Sequence, residues 1–131
     1  MRWLAALVLL FLSTAVCSDP PEPMQLVGVT RTLGSWSGRG PRTLGFSSES
    51  GRLHITWQTW NVDEAIDGTF RLTLHSAVSG RALRVLADHR GAGHARIAVD
   101  EDPRPFTLMV DAEGVEWRVS VDETVAVAVT R

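Results

Sequence analysis

The sequence predicts an all-β fold: a two-layer antiparallel β-sandwich of about eight strands, preceded by an N-terminal signal segment. Three observations carry that reading. Apolar and polar residues alternate with a period of two at Leu53/Ile55/Trp57, Phe70/Leu72/Leu74, Phe106/Leu108/Val110 and Val115/Trp117/Val119/Val121. Glycine, proline and acidic clusters interrupt these runs at near-regular spacing. No window beyond the signal shows the period of a helix. Strands that are apolar on one face must stack as two sheets or close into one to hide that face.

The chain opens on Met1-Arg2-Trp3, a cationic start, followed by the apolar run Leu4 to Leu12 and then Ser13-Thr14-Ala15-Val16-Cys17. That run falls short of the ~20 residues a membrane helix needs and has the layout of a secretory signal. Residues 1–17 are therefore expected to be a signal peptide, 18–23 a Pro-rich tether and 24–131 the sandwich domain. Cys17 is the only cysteine, so no internal disulfide can form. Two fates for it stand side by side. Ordinary signal cleavage at Ala15-Val16-Cys17 or Val16-Cys17-Ser18 would remove it; alternatively, Leu12 to Cys17 resembles a bacterial lipobox, in which Cys17 is lipidated and anchors the domain. Val16 departs from the small residue usual before a lipobox cysteine.

Met24 to Thr32 reads as the first strand, and Gly34-Ser35-Trp36-Ser37-Gly38-Arg39-Gly40-Pro41 as a turn-rich loop. Arg42 to Ser47 is the second strand, and Ser48-Glu49-Ser50-Gly51 turns into the third, Arg52 to Trp60. Asn61 to Gly68 is a polar connection with one helical turn at Asp63–Ile66. Thr69 to Ser76 follows as a strand with Phe70, Leu72 and Leu74 inward. Arg81 to Asp88 is a weaker strand, with Ala82, Arg84 and Leu86 on one face and Leu83, Val85 and Ala87 on the other. Gly91-Ala92-Gly93 turns into a strand holding Ala95, Ile97 and Val99. Arg104 to Asp111 and Gly114 to Val121 are expected to form a hairpin across Ala112-Glu113-Gly114. The uncharged tail Thr124 to Thr130 is expected to pair internally with the strand before it, across Asp122-Glu123.

Composition narrows the chemistry. All 13 basic residues are arginine, so no Schiff-base lysine, Ser–Lys pair or phosphate-loop lysine exists. Residues 18–131 carry twelve arginines against fifteen acids, a net −3, which disfavours nucleic acid as a partner. Gly34-Ser35-Trp36-Ser37-Gly38 places tryptophan where a nucleophile elbow needs serine, and no strand-then-helix context surrounds it. Asp88, His89 and His94 flank a glycine turn, and imidazole with carboxylate suits zinc or copper, but the spacing matches no metal pattern. Asp100-Glu101-Asp102 and Asn61 to Gly68 offer hard oxygens without the EF-hand spacing. His54 and His75 share outward parity. No metal and no cofactor is expected.

The order Gly34-x-Trp36-x-Gly38-x-Gly40, Thr43-x-x-Phe46, Leu53-x-Ile55-x-Trp57, Phe70-x-Leu72-x-Leu74, Gly91-x-Gly93, Phe106-x-Leu108-x-Val110 and Trp117-x-Val119-x-Val121 resembles small bacterial exported or lipoprotein β-sandwich domains of unassigned function, similar in strand pattern to CUB-type jelly rolls. The resemblance covers residues 34–121 and implies a fold more than an activity. The paired cysteines usual in CUB domains are missing here, as is the tyrosine beside their calcium ligands, so no calcium site carries over.

What remains is a ligand surface. Trp60 has opposite parity to Trp57 and should leave the core face; Trp36 sits among glycines. An exposed indole is a flat platform for a sugar or an apolar peptide side chain. Arg31, Arg39, Arg42 and Arg52 oppose only Glu49 in residues 24–60, giving a local +3 that could grip an anion. The expectation is a non-enzymatic exported binding or cell-envelope module, extracellular or periplasmic. Its contact surface would be Trp36, Arg39, Arg42 and Trp60, its partner a glycan or protein surface, and its only membrane link the signal or a lipid. The alternatives are a purely structural surface lipoprotein and, ranked last, a metal-dependent or hydrolytic enzyme.

Overall fold

The structure, a computed structural model, describes residues 24–130. The expected signal, the tether and Cys17 lie outside the described residues. Eight strands are present: β1 (Gln25–Gly38), β2 (Arg42–Ser48), β3 (Arg52–Asn61), β4 (Thr69–Ser76), β5 (Ala82–Arg90), β6 (Gly93–Asp100), β7 (Arg104–Glu113) and β8 (Val115–Val129). They form two four-stranded antiparallel sheets, ordered β1-β8-β3-β6 and β2-β7-β4-β5. The pairs β1–β8, β2–β7, β3–β6 and β4–β5 nest inside one another. Such a doubled ribbon, rolled until β3 meets β8 and β4 meets β7, is a jelly roll.

The inward faces are those the alternation marks. Leu53, Ile55 and Trp57 of β3, Phe70, Leu72 and Leu74 of β4, and Val115, Trp117, Val119 and Val121 of β8 are all buried. Phe46 stacks on Phe106 at 5.5 Å within one sheet, and Trp57 meets Phe70 at 5.3 Å across the two layers. Each such side chain contributes roughly 1.5–3 kcal/mol when fully buried.

Four expectations need correction. The glycine-rich stretch is not a loop as far as Gly38: β1 continues through it, paired up to Gly38 opposite Trp117, with one register shift between Thr32 and Gly34. Its glycines are seats for indoles. A Cβ on Gly34 would lie 2.2 Å from Trp36 Cη2, and one on Gly38 2.8 Å from Trp117 Cζ2. Second, β7 and β8 are no hairpin, because they belong to opposite sheets. Among the described residues, only β4 and β5 are consecutive strands that pair, closed by Ser76 N–H to the Arg81 carbonyl at 3.0 Å. Third, the tail does pair internally, but as the end of β8 against the start of β1, Val125 opposite Val29 and Val127 opposite Val27. Fourth, β5 does not keep its expected parity. Two register shifts insert Leu83 and Leu86 as extra residues opposite β4, so Leu86 and Ala87 are both buried.

The turn Ser48–Gly51 returns the chain from one sheet to the other. Gly51 has φ +70°, and a Cβ there would fall 1.7 Å from the Glu101 carbonyl oxygen, so only glycine fits.

Candidate functional site: the Trp60 face

Trp60 stands near the end of β3, opposite Glu116 of β8, and its outward parity leaves it 38% exposed. Trp57 and Trp117 are buried and Trp36 is half-buried. Trp60 is therefore the exposed indole among the described residues. Arg118, two residues along β8 on the same face, places its guanidinium carbon 5.8 Å from the centre of the Trp60 ring. Arg39, just past the end of β1, forms an ion pair with Glu116 at 2.5 Å. Both partners are substantially exposed, so that pair orients groups more than it stabilises the fold.

Two shallow recesses flank the indole. One is bordered by Ser37, Arg39, Glu116 and Arg118, the other by Asn61, Glu64 and Ala92. Trp60 is the ridge between them, with two guanidinium groups, two carboxylates and one amide around a single aromatic plate. That arrangement can stack a ring and hydrogen-bond to its periphery.

Of the four contact residues the sequence singles out, the fold brings Arg39 and Trp60 together. Trp36 points inward and packs on Phe46, with ring centres 6.5 Å apart. Arg42 begins β2 in the other sheet and donates from Nη1 to the Ser37 carbonyl at 3.3 Å, bracing the turn beside the recess. Glu116 and Arg118 were missed by sequence reasoning. Their signal was present, since both have the outward parity of β8, but the strand pairing that sets them beside Trp60 is not encoded locally.

The basic cluster of residues 24–60 does not gather. Arg31 is held by Glu123 and Glu49, and Arg52 lies opposite Asp100 on β6. Glu123 is fully buried at the end of β8's inward face. Its carboxylate accepts from Arg31 Nε at 2.6 Å, Ser48 Oγ at 2.5 Å and Glu49 N–H at 3.0 Å. Burial pushes this carboxyl's pKa up, and the hydrogen bonds from Ser48, Arg31 and the Ser50 and Glu49 backbone outweigh it, leaving it below its ordinary value. The Glu123 carboxylate, and after it that of Glu49, raise the Arg31 pKa. This cluster ties β1, β8 and the β2–β3 turn together, and both carboxylate oxygens of Glu123 are already engaged.

The histidines separate as well. His54 lies on β3 and His75 on β4, in opposite sheets, and do not meet. His89 shares a contact at 3.0 Å with the Ala92 carbonyl and rests 5.2 Å from the Trp57 ring. Among the described residues, no three His, Cys, Asp or Glu side chains converge as metal ligands. In the Asn61–Gly68 connection, Asn61 Nδ2 donates to Asp67 at 3.0 Å and Asn61 Oδ1 accepts from Gly68 N–H at 3.1 Å, so these polar groups satisfy one another.

No protein-family model and no curated protein matches the chain. Among solved structures, a chain of Desmodium yellow mottle tymovirus is similar in fold, with a TM-score of 0.35, 10% sequence identity, and coverage of 84% of this chain and 91% of that one. Identity and score at that level carry no function across. The protein is thus defined by its own strand order, as an eight-stranded jelly-roll-like sandwich.

Proposed function

We propose that this protein is a non-enzymatic binding module of the exported or lipid-anchored kind, and that it holds a glycan against the Trp60 face. The observation that carries the reading is the exposed Trp60 ring set among Arg39, Glu116, Arg118 and Asn61, between two shallow recesses. A sugar presents an apolar C–H face to an indole and hydroxyl groups to surrounding charged and amide side chains. An apolar peptide would want a wider greasy patch than one ring supplies. The signal-like start and the lipobox-like Leu12 to Cys17 support placement outside the cytoplasm, as does the resemblance of residues 34–121 to small bacterial exported or lipoprotein domains.

The test is retention on immobilised envelope polysaccharide. Trp60→Ala should abolish retention and leave the near-ultraviolet circular dichroism of the buried tryptophans intact. Unchanged retention in a folded variant refutes the reading and leaves a structural surface protein, in which Arg118 merely covers the ring.

A further inference from the structure

The outward face of the β1-β8-β3-β6 sheet continues past Trp60 as rows of side chains that lie opposite one another across the strands. The first row is Ser37 on β1, Arg118 on β8, Gln58 on β3 and His94 on β6. The second is Ser35, Ser120, Thr56 and Arg96 on the same four strands. Neither row holds a carboxylate, although the whole chain has a net charge of −2.

The acids that bound these rows are already matched. At one end Glu116, opposite Trp60, pairs with Arg39. At the other Asp122, opposite His54, accepts from Thr32 Oγ1 at 2.9 Å and lies 3.8 Å from Arg96 Nη1. Arg118 has no such match. It is exposed, borders the recess it shares with Ser37 and Arg39, and enters no ion pair among the described residues. Its guanidinium lies over the Trp60 ring. A guanidinium held on an aromatic face keeps its edge of N–H donors free, in the fork that takes the paired oxygens of an acidic group.

We propose that the glycan held here is an acidic one, an inference that rests on the Trp60 reading above. Arg118 selects it by forking the carboxylate or sulfate of a sugar beside the ring stacked on the indole. A neutral chain would leave these donors to hydroxyls and water, whereas an acidic chain gains a charge-assisted pair of bonds. From Trp60 to Thr56 the strand advances roughly 13 Å, so the face has room for more than one sugar. The serine, threonine and glutamine side chains of the two rows supply neutral donors and acceptors for hydroxyl groups. A single-stranded nucleic acid, also anionic, calls for successive aromatic platforms, and Trp60 is the one exposed indole among the described residues.

Surface plasmon resonance of the protein produced from the full chain tests this on polygalacturonate and alginate, each beside its carboxyl-reduced form, and on dextran sulfate beside dextran. At least one acidic polysaccharide should bind about tenfold tighter than its neutral counterpart. The pair that shows the preference tells carboxylate from sulfate. Arg118→Gln should remove the preference, Arg118→Lys should keep part of it, and Arg84→Gln, on β5 of the other sheet, should leave it in place. Equal binding of acidic and neutral forms that still needs Trp60 overturns the inference and leaves the Trp60 reading standing. A preference lost equally in Arg84→Gln overturns it as general charge attraction. Tighter binding of an oligodeoxythymidylate than of any polysaccharide overturns it in favour of nucleic acid. Binding that survives Trp60→Ala, or no binding to any polysaccharide, overturns both.

Discussion

Arg31 and Glu123 face each other across β1 and β8 at the level where the second sheet ends, and they join the sandwich to the ribbon of β1 and β8 that runs on beyond it. The carboxylate is fully buried, the guanidinium is 44% exposed, and Ser48 and the Glu49 backbone complete the acceptor's shell from the other sheet. A charge in that position is tolerated because its hydrogen bonds replace the water it lost.

Acid should therefore loosen this clasp. The folded carboxyl titrates below its ordinary value of 4.5, so its contribution is complete above about that pH and drains away as pH falls through the lowered folded value. Glu123→Gln should flatten the acid limb of the stability profile and cost about 2 kcal/mol at neutral pH, read by denaturant unfolding. An acid limb identical in wild type and variant would contradict the assignment.

Gly38→Ala should destabilise more than Gly34→Ala, although the nominal overlap at Gly34 is the shorter. Trp117 is 1% exposed and its Nε1 donates to the Gly40 carbonyl at 3.0 Å, so its ring has nowhere to go. Trp36 is half-buried and its ring can swing outward. A loss of about 1–3 kcal/mol at Gly38 is the scale of core overpacking. Thermal unfolding of the two variants gives the comparison.

Gly51→Ala should be the most damaging glycine change, because a positive φ and a backbone oxygen oppose it together. A loss of about 2–4 kcal/mol is expected, or failure to accumulate folded protein. Gly45→Ala, which meets nothing within 4 Å, is the matched control.

These cases show how far the sequence could be read. The period-two runs identify the inward residues of β3, β4, β7 and β8, because a one-faced strand writes its burial directly into alternation. Gly34 and Gly38 misled, since a missing side chain signals a turn and a seat for an indole equally well. Glu123 was readable in principle: it falls at an inward position inside the unbroken run from Val115 to Val129. Its partners are 75 and 92 residues away, and no local pattern names them. Arg118 and Glu116 were hidden for the same reason. Which strand lies beside Trp60 is a property of the roll.

Arg39→Ala should weaken glycan retention less than Trp60→Ala. Its pair with Glu116 is exposed and screened by salt, whereas stacking on the ring is not. Retention measured at low and high ionic strength separates the two contributions.

The most direct measurement follows the indole N–H resonances of the ¹⁵N-labelled protein during titration with soluble envelope oligosaccharides. The account predicts a saturable shift of the Trp60 signal, assigned through Trp60→Phe, with the Trp57 and Trp117 signals unmoved. Saturable binding that leaves Trp60 still, or that moves only the buried indoles, would contradict it.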